Sequence, residues 1–274
     1  MMRVNLPAVE IEVFRSALRT LNEAKIGYVL GGAFGLYHYT GIWRHTKDMD
    51  VFVMPEDVSR TLSLLSVAGF DTRLVDRHWL AKAVKKPYFV DIIFGEGNWL
   101  RPVDVNWHSR SEAATILDVP TRIAAAEELI WSKAYVAGRE RYDGADILHL
   151  IQAKKGRLDW EHTLALFVEH WQLLFIYLNL FIFVYPSDRD YVPQWVLATL
   201  MERLETEMKQ PAPKERICRG PLLDRLLYIH DVEERGYSDP REKLAIARGF
   251  DLRDVLAERR WAARKLHERE VHAA

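Results

Sequence analysis

The chain has 274 residues, with 38 Lys and Arg against 39 Asp and Glu and a formal net charge of −1. A hydrophobic share of 49% and a charged share of 28% are ordinary globular values, which exclude disordered, collagen-like and coiled-coil classes. The near-neutral balance argues against holding long nucleic acid by charge alone, and the single Cys218 excludes an internal disulfide framework or a cysteine zinc cluster.

Along the first third the hydrophobic period alternates between helix and strand. Ile11 to Ala24 spaces Val13, Leu18 and Leu21 for one helical face. Tyr28 to Leu30 is a short apolar strand ended by Gly31-Gly32, and Ala33 to Tyr39 begins a helix. Met49 to Val53 is a second strand. Pro55 then opens a helix, Glu56 to Ala68, that Gly69 stops. Asp71 to Val75, Leu80 to Val84 and Tyr88 to Phe94 follow as strands. This order predicts an α/β or α+β layer with a mixed sheet.

From about Thr121 the pattern becomes helical: Ile123 to Arg139, Gly144 to Lys154, His162 to Val184, Val192 to Glu207, Pro221 to Glu234 and Asp251 to Glu270. Gly156, Pro186, Pro211 and Pro240 punctuate these runs. The expected division is therefore 1–118 for the α/β layer and 119–274 for a helical domain. Trp171 to Pro186 carries no charge, but it is shorter than a membrane span and is interrupted by Gln172 and Asn179. A buried helix is the expectation there, with a partner-binding surface as the other reading and no membrane. Glu10 stands where an export signal needs its apolar run, so a cytoplasmic location is expected.

Asp48 and Asp50 flank Met49 at the head of an apolar strand. Strand side chains alternate, so both acids point one way while Met49, Val51 and Val53 point the other. Adjacent carboxylates repel, and a shared cation keeps both ionised; hard oxygen donors at this spacing suit Mg²⁺. A strand start decorated with solvated acids is the plainer reading of the pair alone. Gly31 and Gly32, between a strand and a helix, leave backbone N–H groups open to a phosphate, or simply make a tight turn. Asp91 lies inside the apolar strand 88–94, where a carboxylate is costly unless it is paired with a cation such as Lys or Arg, or bound to metal.

Together, Gly31-Gly32, Asp48-x-Asp50 and Asp91 in YVLGGAFGLYHYTGIWRHTKDMDVFV and the strand beyond it resemble the DNA polymerase β-like nucleotidyltransferase superfamily. The spacer from Ala33 to Lys47 is slightly long for the family. Its lead-in, Arg44-x-Thr46-Lys47-Asp48, is similar to the bacterial AbiEii-like and minimal nucleotidyltransferase branches. The resemblance covers about residues 26–94 and, more loosely, extends to 154. It implies a polymerase-β-like domain with a mixed sheet followed by an α-helical domain. The implied substrate is a nucleoside triphosphate and the implied cofactor Mg²⁺ or Mn²⁺. Asp48 and Asp50 would hold metal, and Asp91 would complete a second metal site and help deprotonate an acceptor hydroxyl. Gly31 and Gly32 would cradle phosphate with Thr46 nearby, while Lys47, next to Asp48, would face away.

The family also implies a Lys toward the triphosphate on a following helix, and Lys133 with Asp143 and Asp146 is similar; a solvated helix face with Asp143 as its cap is the alternative. Asp104, Trp107 and His108 either line the cleft mouth or, for Trp107, belong to the core. The charged helix around Glu258 reads as a solvated face. The acceptor could be an RNA 3′ end, which would suggest a toxin–antitoxin connection, or a protein or small molecule. The rival is a non-catalytic nucleotide- or partner-binding module that keeps the fold. Convergence of the three acids supports the enzyme, whereas Asp91 turned away into a salt bridge supports the rival.

Overall fold

The computed structural model describes residues 6–273, with side chains described as far as residue 266. Two compact units divide it. The first holds the described residues up to Gly97 together with Arg101–Ile130, and the second holds Asn98–Leu100 and the described residues from Trp131 onward.

In the first unit the chain order is α1 (Ala8–Glu23), β1 (Tyr28–Leu30), α2 (Gly32–Thr40), β2 (Asp48–Val53), α3 (Val58–Val67), β3 (Asp71–Asp76), β4 (Leu80–Lys85) and β5 (Tyr88–Ile93). It continues with α4 (Val105–Ser109), β6 (Glu112–Ile116) and β7 (Val119–Ile123). All seven strands join one mixed sheet in the order β3-β4-β5-β2-β1-β7-β6. The β2–β5 and β1–β7 pairs are parallel and the others antiparallel. One sheet face is the core: Met49, Val51 and Val53 pack with Val90 and Ile92 in the cluster that Phe14, Leu18 and Leu21 of α1 complete. Burying each of those three α1 side chains contributes about 1.5–3 kcal/mol by area. The alternation of β2 leaves Asp48 and Asp50 on the opposite face, as its buried and half-buried positions show.

The hairpin β6–β7 corrects the sequence reading. Residues 119–123 are a strand, and the helix expected from Ile123 to Arg139 is only α5 (Ala126–Ala134), which carries the chain into the second unit. Leu117 and Asp118 both take positive φ, 50° and 63°, in the turn, which neither Leu nor a following Val-Pro advertises. The sheet therefore runs past residue 118, and its unit extends to Ile130.

The second unit is helical: α6 (Gly144–Lys154), α7 (Trp160–Leu166), α8 (Trp171–Val184), α9 (Gln194–Lys209), α10 (Ile229–Glu233), α11 (Pro240–Ala247) and α12 (Leu252–Ala273). The single helix expected over 162–184 is broken between α7 and α8. Buried Phe167 ends α7, His170 N–H donates to the Phe167 carbonyl at 3.0 Å, and the His170 ring bonds the Tyr135 hydroxyl at 2.9 Å. Likewise the run 221–234 is interrupted because Asp224 Oδ1 accepts from the N–H groups of Leu226 and Leu227, at 2.7 and 3.0 Å.

In α8, Trp171, Leu174, Tyr177, Leu178 and Phe181 are buried, but Ile176 and Phe183 are 57% and 81% exposed. The apolar run is thus buried on one face only. No helix among the described residues is long and apolar enough to cross a membrane. Around Glu258 the helix is not simply solvated: its carboxylate accepts from Arg241 at 2.7 Å and also pairs with Arg225.

Candidate metal centre

The site is assembled by register on the sheet face opposite the core. In the parallel β2–β5 pair, Asp50 stands beside Asp91 and Asp48 beside Phe89. Registered residues of neighbouring strands share a face, so a contact between positions distant in sequence follows directly from pairing. One oxygen from each of Asp48, Asp50 and Asp91 lies within 4.8 Å of the others. Strand alternation predicts Asp48 and Asp50 on one face and the family resemblance implies Asp91 with them; the β2–β5 register brings the three together.

Gly31 and Gly32 make room for this arrangement. Gly31 N–H donates to the Asp50 carbonyl at 3.1 Å, which ties the start of α2 to β2. Gly32 has φ +50°, and a Cβ there would lie 1.6 Å from Asp50 Oδ2. A Cβ on Gly31 would lie 2.5 Å from the Phe52 ring. Only glycine fits either position, because the carboxylate and ring occupy the space a side chain needs. The start of α2 also favours a nearby negative charge by about 0.3–1 kcal/mol.

Thr46 lies beside the first of the acids. Its hydroxyl donates to Asp48 Oδ1 and accepts from the Asp48 N–H at 3.3 Å, so it orients that carboxylate. Lys47 offers its carbonyl to Phe89 N–H at 3.0 Å and has an exposed side chain. Beyond Asp50 on the same strand face, Phe52 stacks on Trp107 with ring centroids 4.4 Å apart at 17°. Trp107 is 5% exposed and so is packed in the interior on that face. Asp104 caps α4 by accepting from Asn106 N–H at 2.9 Å, and the His108 ring lies against Gly27.

Lys82, which sequence reasoning passed over, is the other member. It stands opposite Asp91 in the antiparallel β4–β5 pair, and its Nζ lies 2.7 Å from Asp91 Oδ1. The Lys82 and Asp91 side chains are 21% and 13% exposed. The ammonium also sits 4.1 Å from the centroid of the Phe89 ring. Asp91 therefore does both things the sequence reading set against each other. It pairs with a lysine, and it stays in the acidic cluster.

Three convergent carboxylates are hard oxygen donors of the type that Mg²⁺ or Mn²⁺ takes. The donor set fits a divalent metal.

In the second unit, Lys133 lies in a charged cluster with Asp143 and Asp146. Its ammonium lies 2.9 Å from Asp143 Oδ2 and 2.8 Å from Asp146 Oδ2, with the lysine side chain 10% exposed. The three residues singled out together in the sequence are thus in contact. Burial alone would push the Asp143 carboxyl up, but Lys133 and Arg141 outweigh it and hold it below the ordinary range. The Asp143 side chain makes no cap bond to α6, so its charge serves the lysine.

No family model matches the chain, and no curated protein does. Among solved structures it is similar to nucleotidyltransferases. One is the antibiotic-resistance factor ANT(2'')-Ia, at 14% identity over 62% of this chain and 96% of that chain, with a TM-score of 0.46. A second structure of that protein, in complex with adenylyl-2''-tobramycin, gives 16% identity over 58% and 95%, with a TM-score of 0.44. The lincosamide antibiotic adenylyltransferase LnuA, lincomycin-bound, gives 16% over 54% and 98%, with a TM-score of 0.38.

Proposed function

We propose that the chain is a divalent-metal-dependent nucleotidyltransferase that moves a nucleoside monophosphate from a nucleoside triphosphate to an acceptor hydroxyl. The observation that supports this most is the convergence of Asp48, Asp50 and Asp91 on one sheet face beside Gly31-Gly32. In the reaction, the acceptor oxygen bonds to the α-phosphorus as the bond to the leaving pyrophosphate breaks, and the acceptor proton passes to a base. When bound, the divalent metal supplies positive charge to the attacking, bridging and leaving oxygens.

The chain's own residues have defined tasks. Asp48 and Asp50 present the metal-binding carboxylates, and the Thr46 hydroxyl fixes the rotation of Asp48. Asp91, beside Asp50, takes the acceptor proton and contributes to the metal set. Gly31 and Gly32 keep side chains out of the space where phosphate meets the start of α2, whose N–H groups favour an anion. Lys133 is assigned to the triphosphate, with Asp143 and Asp146 as its supports. The sheet-bearing segment carries the chemistry, and the helical segment selects the acceptor, which is a small molecule, a protein or a short RNA end. Membership of the AbiEii-like or minimal branch belongs to the same proposal.

The Lys82–Asp91 ion pair is the one observation that favours the rival reading, a binding module with an unused acidic cluster. The two separate in one assay. Wild type and Asp50→Ala are incubated with labelled nucleoside triphosphates, Mg²⁺ and either cell lysate or whole-cell RNA. Label transfer by wild type that falls at least about a hundredfold in the variant supports the enzyme and names the acceptor class. Absence of transfer from either protein favours the binding module.

A further inference from the structure

Lys82 occupies a position that three carboxylates make chemically significant. The sheet row reads Arg73, Lys82, Asp91 and Asp50 across β3, β4, β5 and β2, so a basic half meets an acidic half at the Lys82–Asp91 contact. The lysine is held from two sides there: Asp91 Oδ1 accepts from Nζ at 2.7 Å, and the Phe89 ring lies 4.1 Å beneath the ammonium. A flexible lysine stem rarely stays at one point without such fixed partners, and both of these come from the same strand, two residues apart.

We infer that Lys82 is a positioning residue that holds Asp91 on the sheet in the metal-free site and competes with a divalent cation for that carboxylate. This rests on the metal-centre reading above. A fixed positive charge beside Asp91 lowers the site's attraction for a second cation while sparing the three acids their mutual repulsion. The lysine thereby lets the acidic face fold without metal, and metal binding is weaker for its presence. An incoming nucleotide, carrying phosphate charge of its own, is the partner onto which the displaced ammonium would turn.

The test is Mn²⁺ binding, followed by the electron-spin resonance signal of free Mn²⁺ and by calorimetry without nucleotide. The proteins are wild type, Lys82→Met, Lys82→Gln, Lys82→Arg, Asp50→Asn, Asp91→Asn and the Lys82→Met/Asp91→Asn double variant. Lys82→Met keeps the stem and removes the charge, so it is expected to bind Mn²⁺ about tenfold more tightly or better. Lys82→Arg should stay within about threefold of wild type, because the charge is retained. In the Asp91→Asn background most of the Lys82→Met gain should vanish, since the contested carboxylate is gone. Lys82→Gln is measured beside Lys82→Met, with melting curves for each, so that the result does not hang on one fold.

Equal or weaker binding by folded Lys82→Met and Lys82→Gln overturns the competition. A gain of the same size in the Asp91→Asn background also overturns it, because the lysine would then act through its general field. If wild type binds no Mn²⁺, or Asp50→Asn binds it as well as wild type does, the metal-centre reading itself fails. That result is distinct from a failure of the Lys82 inference alone.

Discussion

Gly32 and Asp50 illustrate how closely single residues define this site. With φ +50° and the Asp50 carboxylate where a Cβ would go, Gly32→Ala meets both backbone strain and a steric clash. The expected cost is about 1–3 kcal/mol in urea unfolding, with the proposed transfer activity lost even where the protein still folds. Gly41, also at positive φ but with open space for 4 Å around the position a Cβ would take, is the control that carries strain alone. Thr46→Val tests a subtler contact. It removes the hydroxyl that orients Asp48, so Mn²⁺ affinity should fall several-fold while stability changes by less than about 1.5 kcal/mol. Asp48 and Asp50 were legible in the sequence because strand alternation puts them on one face. Lys82 was legible in principle too. A two-residue turn at Lys86-Pro87 pairs Lys85 with Tyr88, and counting back along both strands reaches Lys82 and Asp91.

At the scale of elements, the first unit depends on α1 closing one sheet face. Leu18 is fully buried in that packing, and Leu18→Ala should cost about 2–5 kcal/mol in chemical denaturation. The link between α5 and α6 has a pH signature. Asp143 has a carboxyl held below its ordinary value near 3.8, so its ion pair with Lys133 stabilises the fold at neutral pH. That contribution fades as pH falls below the ordinary carboxylate range and through the lowered folded value. Asp143→Asn should be less stable than wild type at pH 7, and the gap should narrow on acidification, as read by urea midpoints across pH. Elements with a clean period, such as β2, β5 and α6, were readable from sequence. The β6–β7 hairpin was not, because its turn uses Leu117 and Asp118 at positive φ without a glycine. Nor was α11, whose Pro240 reads as a breaker but sits in the first turn behind the Asp239 cap.

For the molecule as a whole, near-zero charge and the acidic cluster of Asp48, Asp50 and Asp91 point to modest affinity for long nucleic acid, with a shallow dependence on salt. Phe183, 81% exposed on α8, should tolerate Ser with a stability change within about 0.5 kcal/mol, checked by thermal melting. Another consequence comes from the pairing of β2 with β5. The two strands are parallel neighbours, yet α3, β3 and β4 lie between them in the chain. The third acid thus reaches the other two only when a long loop of chain has closed. A luminescent lanthanide added during refolding would act as a clock for that closure: its emission should rise with the β2–β5 pairing, after local helices have formed.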